Sequence, residues 1–174
     1  MPRHCVVDTG VAMVANQMHE EASADCVARC ARALSEVMTS GHVFVDDGGL
    51  IVEEYRRNLN AWARQPGPGD TFLKWLLTHE WAGVKVTRVA ITAKDQDADD
   101  FHELPGPPEG VAYDPADRKF LAVAAAHNPH PVILQSLDHK WWGWRDALRA
   151  VGVSIDFLCP DDVEAKYAEK MERS

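Results

Sequence analysis

Residues 4–10, His-Cys-Val-Val-Asp-Thr-Gly, begin with a short strand-like run at residues 4–7, which is followed directly by the acidic Asp8. A run of this length between polar residues is typical of a buried β-strand. Four further strand-like runs follow along the chain, at residues 42–45, 85–91, 132–135 and 153–158. Because helix-like stretches separate these runs, the sequence predicts an α/β fold.

The stretches between the strands have the apolar spacing of amphipathic helices. Residues 22–39 carry one apolar stripe, with Ser23 as a suitable N-cap and Gly41 as a suitable stop. Further helices are predicted at residues 50–63, from Asp70 as a cap through residue 81, and at residues 115–127 and 139–150. This alternation predicts a three-layer α/β/α sandwich with a mainly parallel central sheet of about five strands.

The length and composition predict one soluble domain. The 174 residues suit a single domain over residues 1–174, with a Pro/Gly-rich acidic loop at about 92–113. No apolar run is long enough to cross a bilayer, and the N-terminus lacks the longer apolar stretch of a signal peptide. We therefore expect a cytoplasmic protein with no membrane partner.

The cysteines argue against a cysteine metal or redox site, and the net charge argues against a broad surface for duplex nucleic acid. The four cysteines lack zinc-site spacing, and Cys30 fits the apolar stripe of its helix, so buried thiols are favoured over a metal or redox site. A formal charge of −9 argues against a broad basic surface for long duplex nucleic acid. This net charge is still compatible with a local group of basic residues beside an acidic active site.

Four acidic residues are candidates for a shared site. Asp8 directly follows the first strand, and Asp138 follows the fourth, so both are expected at the edge where the carboxyl ends of parallel strands meet. Asp117 lies in the first turn of a predicted helix on an otherwise apolar face. On the helix at residues 50–63, Glu54 projects beside the apolar face, whereas Glu53 points nearly opposite.

Each of these acids also has a purely structural interpretation. Asp8 and Asp138 could cap the helices that follow them, and Glu54 could be a half-exposed helical glutamate. Asp114, followed by proline, resembles a helix N-cap with Asp117 near the third helical position. That interpretation accounts better for Asp114 than for Asp117. The coincidence of four such acids favours a functional site.

Carboxylates held close together repel one another unless a cation neutralises them. Oxygen ligands in this number suit Mg²⁺ or Mn²⁺, which usually keep waters and bind substrate phosphate directly. Such an ion on Asp8, Glu54, Asp117 and Asp138 would supply the chemistry of phosphodiester hydrolysis. The four acids are therefore predicted both as metal ligands and as catalytic residues.

The same motifs, in this order, resemble the PIN domain family. They are Val-Val-Asp-Thr at 6–9, Ile-Val-Glu-Glu-Tyr at 51–55, Asp-Pro-Ala-Asp-Arg-Lys-Phe-Leu-Ala-Val-Ala at 114–124 and Val-Ile-Leu-Gln-Ser-Leu-Asp at 132–138. The resemblance runs from about Cys5 to Cys159 and implies a compact α/β/α nuclease, in most members a metal-dependent ribonuclease. It places the four acids of the family on the four named above, and its common Ser or Thr on Ser136.

Two residues depart from the family pattern. Gly10 stands where the family often has Asn, and Lys140 stands where it often has a further Asp. The second departure makes one metal site a firmer expectation than two. The chain is also longer than many of the family's toxin members, so membership of that toxin group does not follow.

The sequence thus predicts a Mg²⁺- or Mn²⁺-dependent endoribonuclease that hydrolyses RNA phosphodiester bonds. Candidate substrate contacts are Ser136, Arg57, Arg118, Lys119 and Lys140. Two settings fit, a toxin restrained by an inhibitory or operon-encoded protein partner and a defence-system effector, and a homodimer is compatible with either. The alternative is a catalytically weak PIN-like module that binds RNA or a protein partner. The negative charge counts against a nuclease for structured DNA.

Overall fold

The computed structural model describes residues 3–174. Its strands are β1 (His4–Val7), β2 (His42–Asp46), β3 (Val86–Val89), β4 (Ala93–Lys94), β5 (Asp97–Phe101), β6 (Val132–Gln135) and β7 (Ile155–Phe157). Five of them form one sheet in the order β3-β2-β1-β6-β7, and every pair of neighbours in it is parallel. The predicted central sheet of about five parallel strands is confirmed.

Helices cover this sheet. Over the described residues they are α1 (Thr9–Ala15), α2 (Ala24–Ser40), α3 (Leu50–Asn58), α4 (Pro68–His79), α5 (Arg118–Ala126), α6 (His139–Ala150) and α7 (Pro160–Glu172). Helices α1, α2 and α4 pack against one another, α5 packs on β1, β2 and β6, and α6 packs on α7. The arrangement is the expected three-layer α/β/α sandwich.

The neighbouring inner strands β1 and β6 are buried on both faces of the sheet. Val6 and Val7 of β1 and Ile133 and Leu134 of β6 have no solvent exposure, and Val6 lies opposite Ile133 in the register. Continuous apolar runs are what a parallel strand covered by helices requires. Each such side chain stabilises the fold by about 1.5–3 kcal/mol through removal from water.

The order of the strands creates a switch point at β1. From β1 the chain builds outward through β2 and β3, and it then returns to the other side of β1 with β6 and β7. In open parallel sheets a crevice forms beyond the carboxyl ends of the two strands at such a point. Asp8, directly after β1, and the segment that follows β6 therefore share one edge of the sheet.

Helices α3 and α4 have bounds that differ from the predicted ones. The helix expected at residues 50–63 ends at Asn58, since Leu59 takes an extended conformation. Asp70, expected as a cap, lies inside α4, which begins at Pro68. Proline is well suited to a first helical position, because its missing N–H would have had no partner within the helix. The Asp70 carboxylate instead accepts bonds from the backbone N–H groups of Gly67, at 3.0 Å, and Asn60, at 2.8 Å.

The segment predicted as a long loop at about 92–113 contains an antiparallel hairpin of β4 and β5. Phe101 at the end of β5 is buried, and Asp97 accepts a bond of 3.3 Å from the Arg118 guanidinium on α5. The sequence did not reveal the hairpin because most of its residues are polar and exposed, and β4 has only two residues.

Helix α7 was not predicted, and with it a disulfide was missed. Cys159, the residue before α7, is bonded to Cys26 on α2, and the two are 133 residues apart in sequence. The prediction of a buried thiol is correct for Cys30, and Cys5 is also a buried free thiol, whereas the pairing of Cys26 with Cys159 was not predicted. Their pairing depends on tertiary packing that no local pattern reports.

Disulfides are typical of oxidising compartments, so the cytoplasmic location stays a prediction. Among the helices of residues 3–174, none has both the length and the apolar content needed to cross a membrane.

Candidate functional site

Asp8 lies at the centre of the candidate site. Its backbone N–H donates to Leu134 of the neighbouring strand, and its side chain is only 8% exposed. The carboxylate caps α1 by accepting a bond of 2.9 Å from the N–H of Gly10. Burial, followed by the negative charges of Asp117 and Glu54, raises the pKa of Asp8 to about 8. The capping interpretation is therefore correct, but it leaves the crowding of negative charge unexplained.

Glu54 is brought to Asp8 by helix α3. The buried Tyr55 hydroxyl donates to the carbonyl of Val7, which fixes the helix against the end of β1. Thr9 donates a 2.6 Å hydrogen bond to one Glu54 oxygen, and the Lys119 ammonium pairs with the other. Because Glu53 is exposed, the choice of Glu54 as the inward acid is confirmed.

Asp117 occupies the N-cap position of α5 without making a capping bond. The helix begins at Arg118 and not at residue 115, because Asp114 and its successors form a separate turn in which the Asp114 carboxylate accepts a bond from the N–H of Ala116. The Asp117 Oδ2 atom is buried and has no hydrogen-bond partner. Burial, together with the negative charge of Asp138, raises the pKa of Asp117 to about 6.

Asp138 completes the acidic cluster, which consists of Asp8, Glu54, Asp114, Asp117 and Asp138. The Lys140 side chain lies against three of these acids. Asp138 caps α6 by accepting a 3.0 Å bond from the N–H of Lys140. The Lys140 ammonium lies 2.6 Å from an oxygen of Asp114, 3.6 Å from one of Asp117 and 3.7 Å from one of Asp138. The structural interpretation of Asp138 as a cap is thus correct, and the same residue faces the cluster.

A cleft of about 250 Å³ opens beside these residues, and its lining includes Asp8, Gln135, Ser136, Asp138 and Lys166 but neither Glu54 nor Asp117. Gln135 and Ser136 are buried at the end of β6. The Gln135 side-chain oxygen accepts from the N–H of Ser136, while its Nε2 is buried with no partner. Gln135, one of the lining residues, therefore has a buried side-chain N–H group without a hydrogen-bond partner.

Gly10 is required by this geometry. A β-carbon at this position would lie 2.9 Å from Oδ2 of Asp8 and 3.3 Å from Oγ of Ser136. The first distance is closer than van der Waals contact allows, so any side chain here would displace the Asp8 carboxylate. Gly10 leaves out a polar group, as the sequence suggested, and it also makes room for that carboxylate.

The five predicted substrate contacts have different surroundings. Ser136, Lys119 and Lys140 lie in or beside the acidic cluster, where the two lysines are engaged with acids. Arg118 is turned away from the cluster, because it donates to the Tyr113 carbonyl and pairs with Asp97 of the hairpin.

Arg57, the fifth predicted contact, is exposed and lines a separate surface depression with Asn16 and Asp70. The structure therefore does not bring Arg57 to the acids.

Residues that the sequence did not single out also belong to the site. Thr9 and Gln135 are adjacent to predicted site residues at the ends of β1 and β6, so their position after buried strands was an available signal. Lys166 lines the cleft from α7, a helix that was not predicted. No local pattern pointed to it.

The residues fit a hydrated divalent ion better than a tightly enclosed one. Within residues 3–174, no three carboxylates bring oxygen atoms within 4.8 Å of one another; the group that meets this spacing is Cys26, Cys30 and Cys159. Two of those sulfurs are bonded to each other and are not free thiolates. Mg²⁺ commonly uses one or two carboxylates and keeps several waters. The all-oxygen donor set suits such an ion, and Oδ2 of Asp117 has no hydrogen-bond partner, although the Lys140 ammonium lies 3.6 Å from it.

No protein-family model, curated protein or solved structure matches this chain. The resemblance to PIN domains therefore stays a prediction from the motifs, and the function has to be argued from the site.

Proposed function

We propose that this protein is a Mg²⁺- or Mn²⁺-dependent endoribonuclease that uses Asp8, Glu54, Asp117 and Asp138. The observation that carries the proposal is the environment of Asp8, a buried carboxylate at the switch point of the sheet whose neighbours are three further acids. Evolution of a stable fold alone gives no reason to bury like charges together, since they raise the free energy of the folded state.

The charge of the cluster favours a divalent cation. When all five acids are ionised, the two paired lysines, Lys119 and Lys140, leave three negative charges. Burial is the main reason that the pKa values of Asp8 and Asp117 are raised, and the negative charges of neighbouring carboxylates raise them further. Perturbed carboxylates of this kind in a cleft are typical of functional sites.

Asp8 and Asp117 would hold the ion, with Glu54 and Asp138 reaching it directly or through water. When bound, Mg²⁺ or Mn²⁺ supplies charge neutralisation at the phosphate and activation of water. The chain itself orients these ligands: Thr9 fixes Glu54, Gly10 fixes the Asp8 carboxylate, and the helix cap fixes Asp138. Prior placement of this kind lowers the cost of ordering the reacting groups.

A second candidate, an RNA- or protein-binding module without cleavage, is favoured by one observation. Lys119 and Lys140 already pair with acids of the cluster. If these ion pairs persist with RNA present, they would satisfy the acids without a metal. The binding module therefore predicts no bound ion and no cleavage, which separates it from the nuclease.

The test is cleavage of labelled single-stranded and hairpin RNA by purified protein, with Mn²⁺, with Mg²⁺ and with EDTA. We expect metal-dependent internal cuts by the wild type and their loss in Asp117→Asn and Glu54→Gln. Glu53→Gln is the matched control, because it removes the same charge from the exposed side of the same helix. It should cleave like the wild type.

Two outcomes would contradict the proposal. Equal cleavage by Asp117→Asn, Glu54→Gln and wild type would remove these acids from the active site and indicate a contaminating nuclease. Tight RNA binding by a wild-type protein that neither cuts RNA nor binds Mn²⁺ would establish the binding module instead.

A further inference from the structure

We propose that Lys140 is an internal cation that occupies the place of a second divalent ion, so that the site takes one metal ion per chain. This inference rests on the proposed function, and it adds a residue that sets the number of ions. It is carried by the position of the Lys140 ammonium between Asp114, Asp117 and Asp138.

The three distances show that the ammonium is shared among the acids. It makes a direct hydrogen bond of 2.6 Å to Asp114 and lies 3.6 and 3.7 Å from Asp117 and Asp138. The Lys140 side chain is 39% exposed, while that of Asp117 is only 13% exposed. The ammonium therefore approaches from the solvent side and covers an acid that is largely buried.

Local structure fixes Lys140 in this position. It is the second residue of α6, and its own N–H donates to the capping carboxylate of Asp138. Its side chain therefore begins beside Asp138 and extends to Asp114, in the turn before α5. A lysine ammonium is charged throughout the physiological range.

Charge then decides how many ions the site accepts. Three carboxylates without a cation between them would attract a divalent ion, as paired carboxylates do in two-metal sites. With the ammonium present, a divalent ion that approached the same three carboxylates would be repelled by the positive charge of Lys140. The remaining place for a metal ion is beside Asp8, whose carboxylate has no lysine partner among the described residues.

A purely structural role makes a different prediction. If Lys140 only ties α6 to the turn at Asp114, its removal lowers stability and leaves the number of bound ions unchanged. The number of ions is therefore the informative measurement, and it can be made without RNA or catalysis.

The experiment is calorimetric titration of Mn²⁺ into metal-free wild type, Lys140→Met and Lys140→Arg, with bound Mn²⁺ counted independently by electron paramagnetic resonance. Lys74→Met is the matched control, because it removes the same charge from α4, where Lys74 lies over the Trp62 ring. We expect one ion in wild type, Lys140→Arg and Lys74→Met. Lys140→Met should bind two, and its first ion should bind at least about tenfold more tightly, since one nearby positive charge is lost.

One bound ion of equal affinity in wild type and Lys140→Met would overturn the role of Lys140 and leave the metal site intact. Two ions in the wild type would also overturn it. No Mn²⁺ binding by any of the four proteins would instead contradict the proposed function, and this inference with it. Retention of secondary structure and cooperative unfolding in Lys140→Met shows that a change in ion number reports binding and not misfolding.

Discussion

Asp46 and Asp8 stand at the carboxyl ends of neighbouring strands, and both side chains are buried, yet their surroundings differ. The Asp46 carboxylate accepts two backbone hydrogen bonds of 2.8 Å, from Leu50 and Ile51 in the first turn of α3. Asp8 accepts one, from Gly10, and the charges that act on it are the negative charges of nearby acids. Two aspartates in equivalent places on one sheet edge therefore have opposite electrostatic environments.

The difference between the two aspartates lies in how each negative charge is compensated. The N-terminus of a helix offers free N–H groups and a positive dipole end, which together stabilise a buried carboxylate. Asp46 accepts bonds from two such N–H groups, so its negative charge is compensated within the protein. Asp8 has a single such bond and lies among Asp117, Glu54 and Asp138. Its negative charge therefore has to be compensated by a proton or a cation from solution. Burial alone would not have separated the two.

The largest expected effect is on catalysis. Asp8→Asn should lower metal-dependent RNA cleavage by about 1000-fold, because loss of the metal's charge stabilisation costs about 4 kcal/mol in the transition state. Asp46→Asn, measured on its folded fraction, should retain activity within about tenfold. Initial rates of cleavage of a labelled RNA at saturating Mn²⁺ make the comparison. Similar losses in both variants would remove the distinction between the two aspartates.

The next effect is on stability, and here the order is reversed. Asp46→Ala should lower the free energy of unfolding by about 3 kcal/mol, because two buried N–H groups at the start of α3 lose their acceptor. Asp8→Ala should cost clearly less in metal-free protein, since repulsion among the acids is relieved as the single bond to Gly10 is lost. Urea unfolding in EDTA at pH 8 measures both. A greater loss of unfolding free energy in Asp8→Ala would show that the charge of the Asp8 carboxylate is already compensated within the protein.

A smaller effect concerns pH. The pKa of Asp8 is about 8 in the folded protein, against an ordinary 3.8. Between these values the folded state holds a proton that the unfolded chain has released, so the stability from this group is full below about pH 4 and is lost as pH rises through about 8. Asp117, whose pKa is raised to about 6, adds a slope of the same sign at lower pH. Asp8→Asn should therefore remove the slope between about pH 6 and 8 and raise metal-free stability at pH 8.5 by about 1–3 kcal/mol. Urea midpoints from pH 5 to 8.5 test it.

The control for the pH prediction is Asp47→Asn, which removes an exposed carboxylate next to Asp46. It should leave the pH slope of the wild type intact. A slope between about pH 6 and 8 that also survives in Asp8→Asn would show that another group is responsible.

The smallest effect comes from the glycines beside the two aspartates. A β-carbon at Gly10 would lie 2.9 Å from the Asp8 carboxylate, whereas one at Gly48 would lie 3.4 Å from that of Asp46. Gly10→Ala should weaken Mn²⁺ binding by about tenfold, or about 1.4 kcal/mol, by displacing a ligand. Gly48→Ala should leave it unchanged. Calorimetry on both variants decides, and equal affinities would show that the Asp8 carboxylate can move at no cost.

Much of the fold could be predicted from the sequence because its strands are buried on both faces. Such strands read as short apolar runs, and β1 and β6 were predicted with the observed bounds. The hairpin of β4 and β5 and helix α7 were missed, because each exposes much of its surface and lacks a strong apolar pattern.

The sequence by itself determined the parallel sheet and the acids placed at its edge, since both follow from periodicity and from the position of a residue relative to a strand or helix. Glu54 could be separated from Glu53 in this way, because a helix has a fixed angular repeat. The lysines were predicted near the site, but as contacts for phosphate.

Only the tertiary structure decided what each charge faces. It placed the Lys140 ammonium among three acids, turned Arg118 towards Asp97, and gave Asp46 the partners that Asp8 lacks. It also paired Cys26 with Cys159 across 133 residues. These contacts join segments that are distant in sequence, and the interaction between charges depends on their separation and burial in space, which a pattern along the chain does not record.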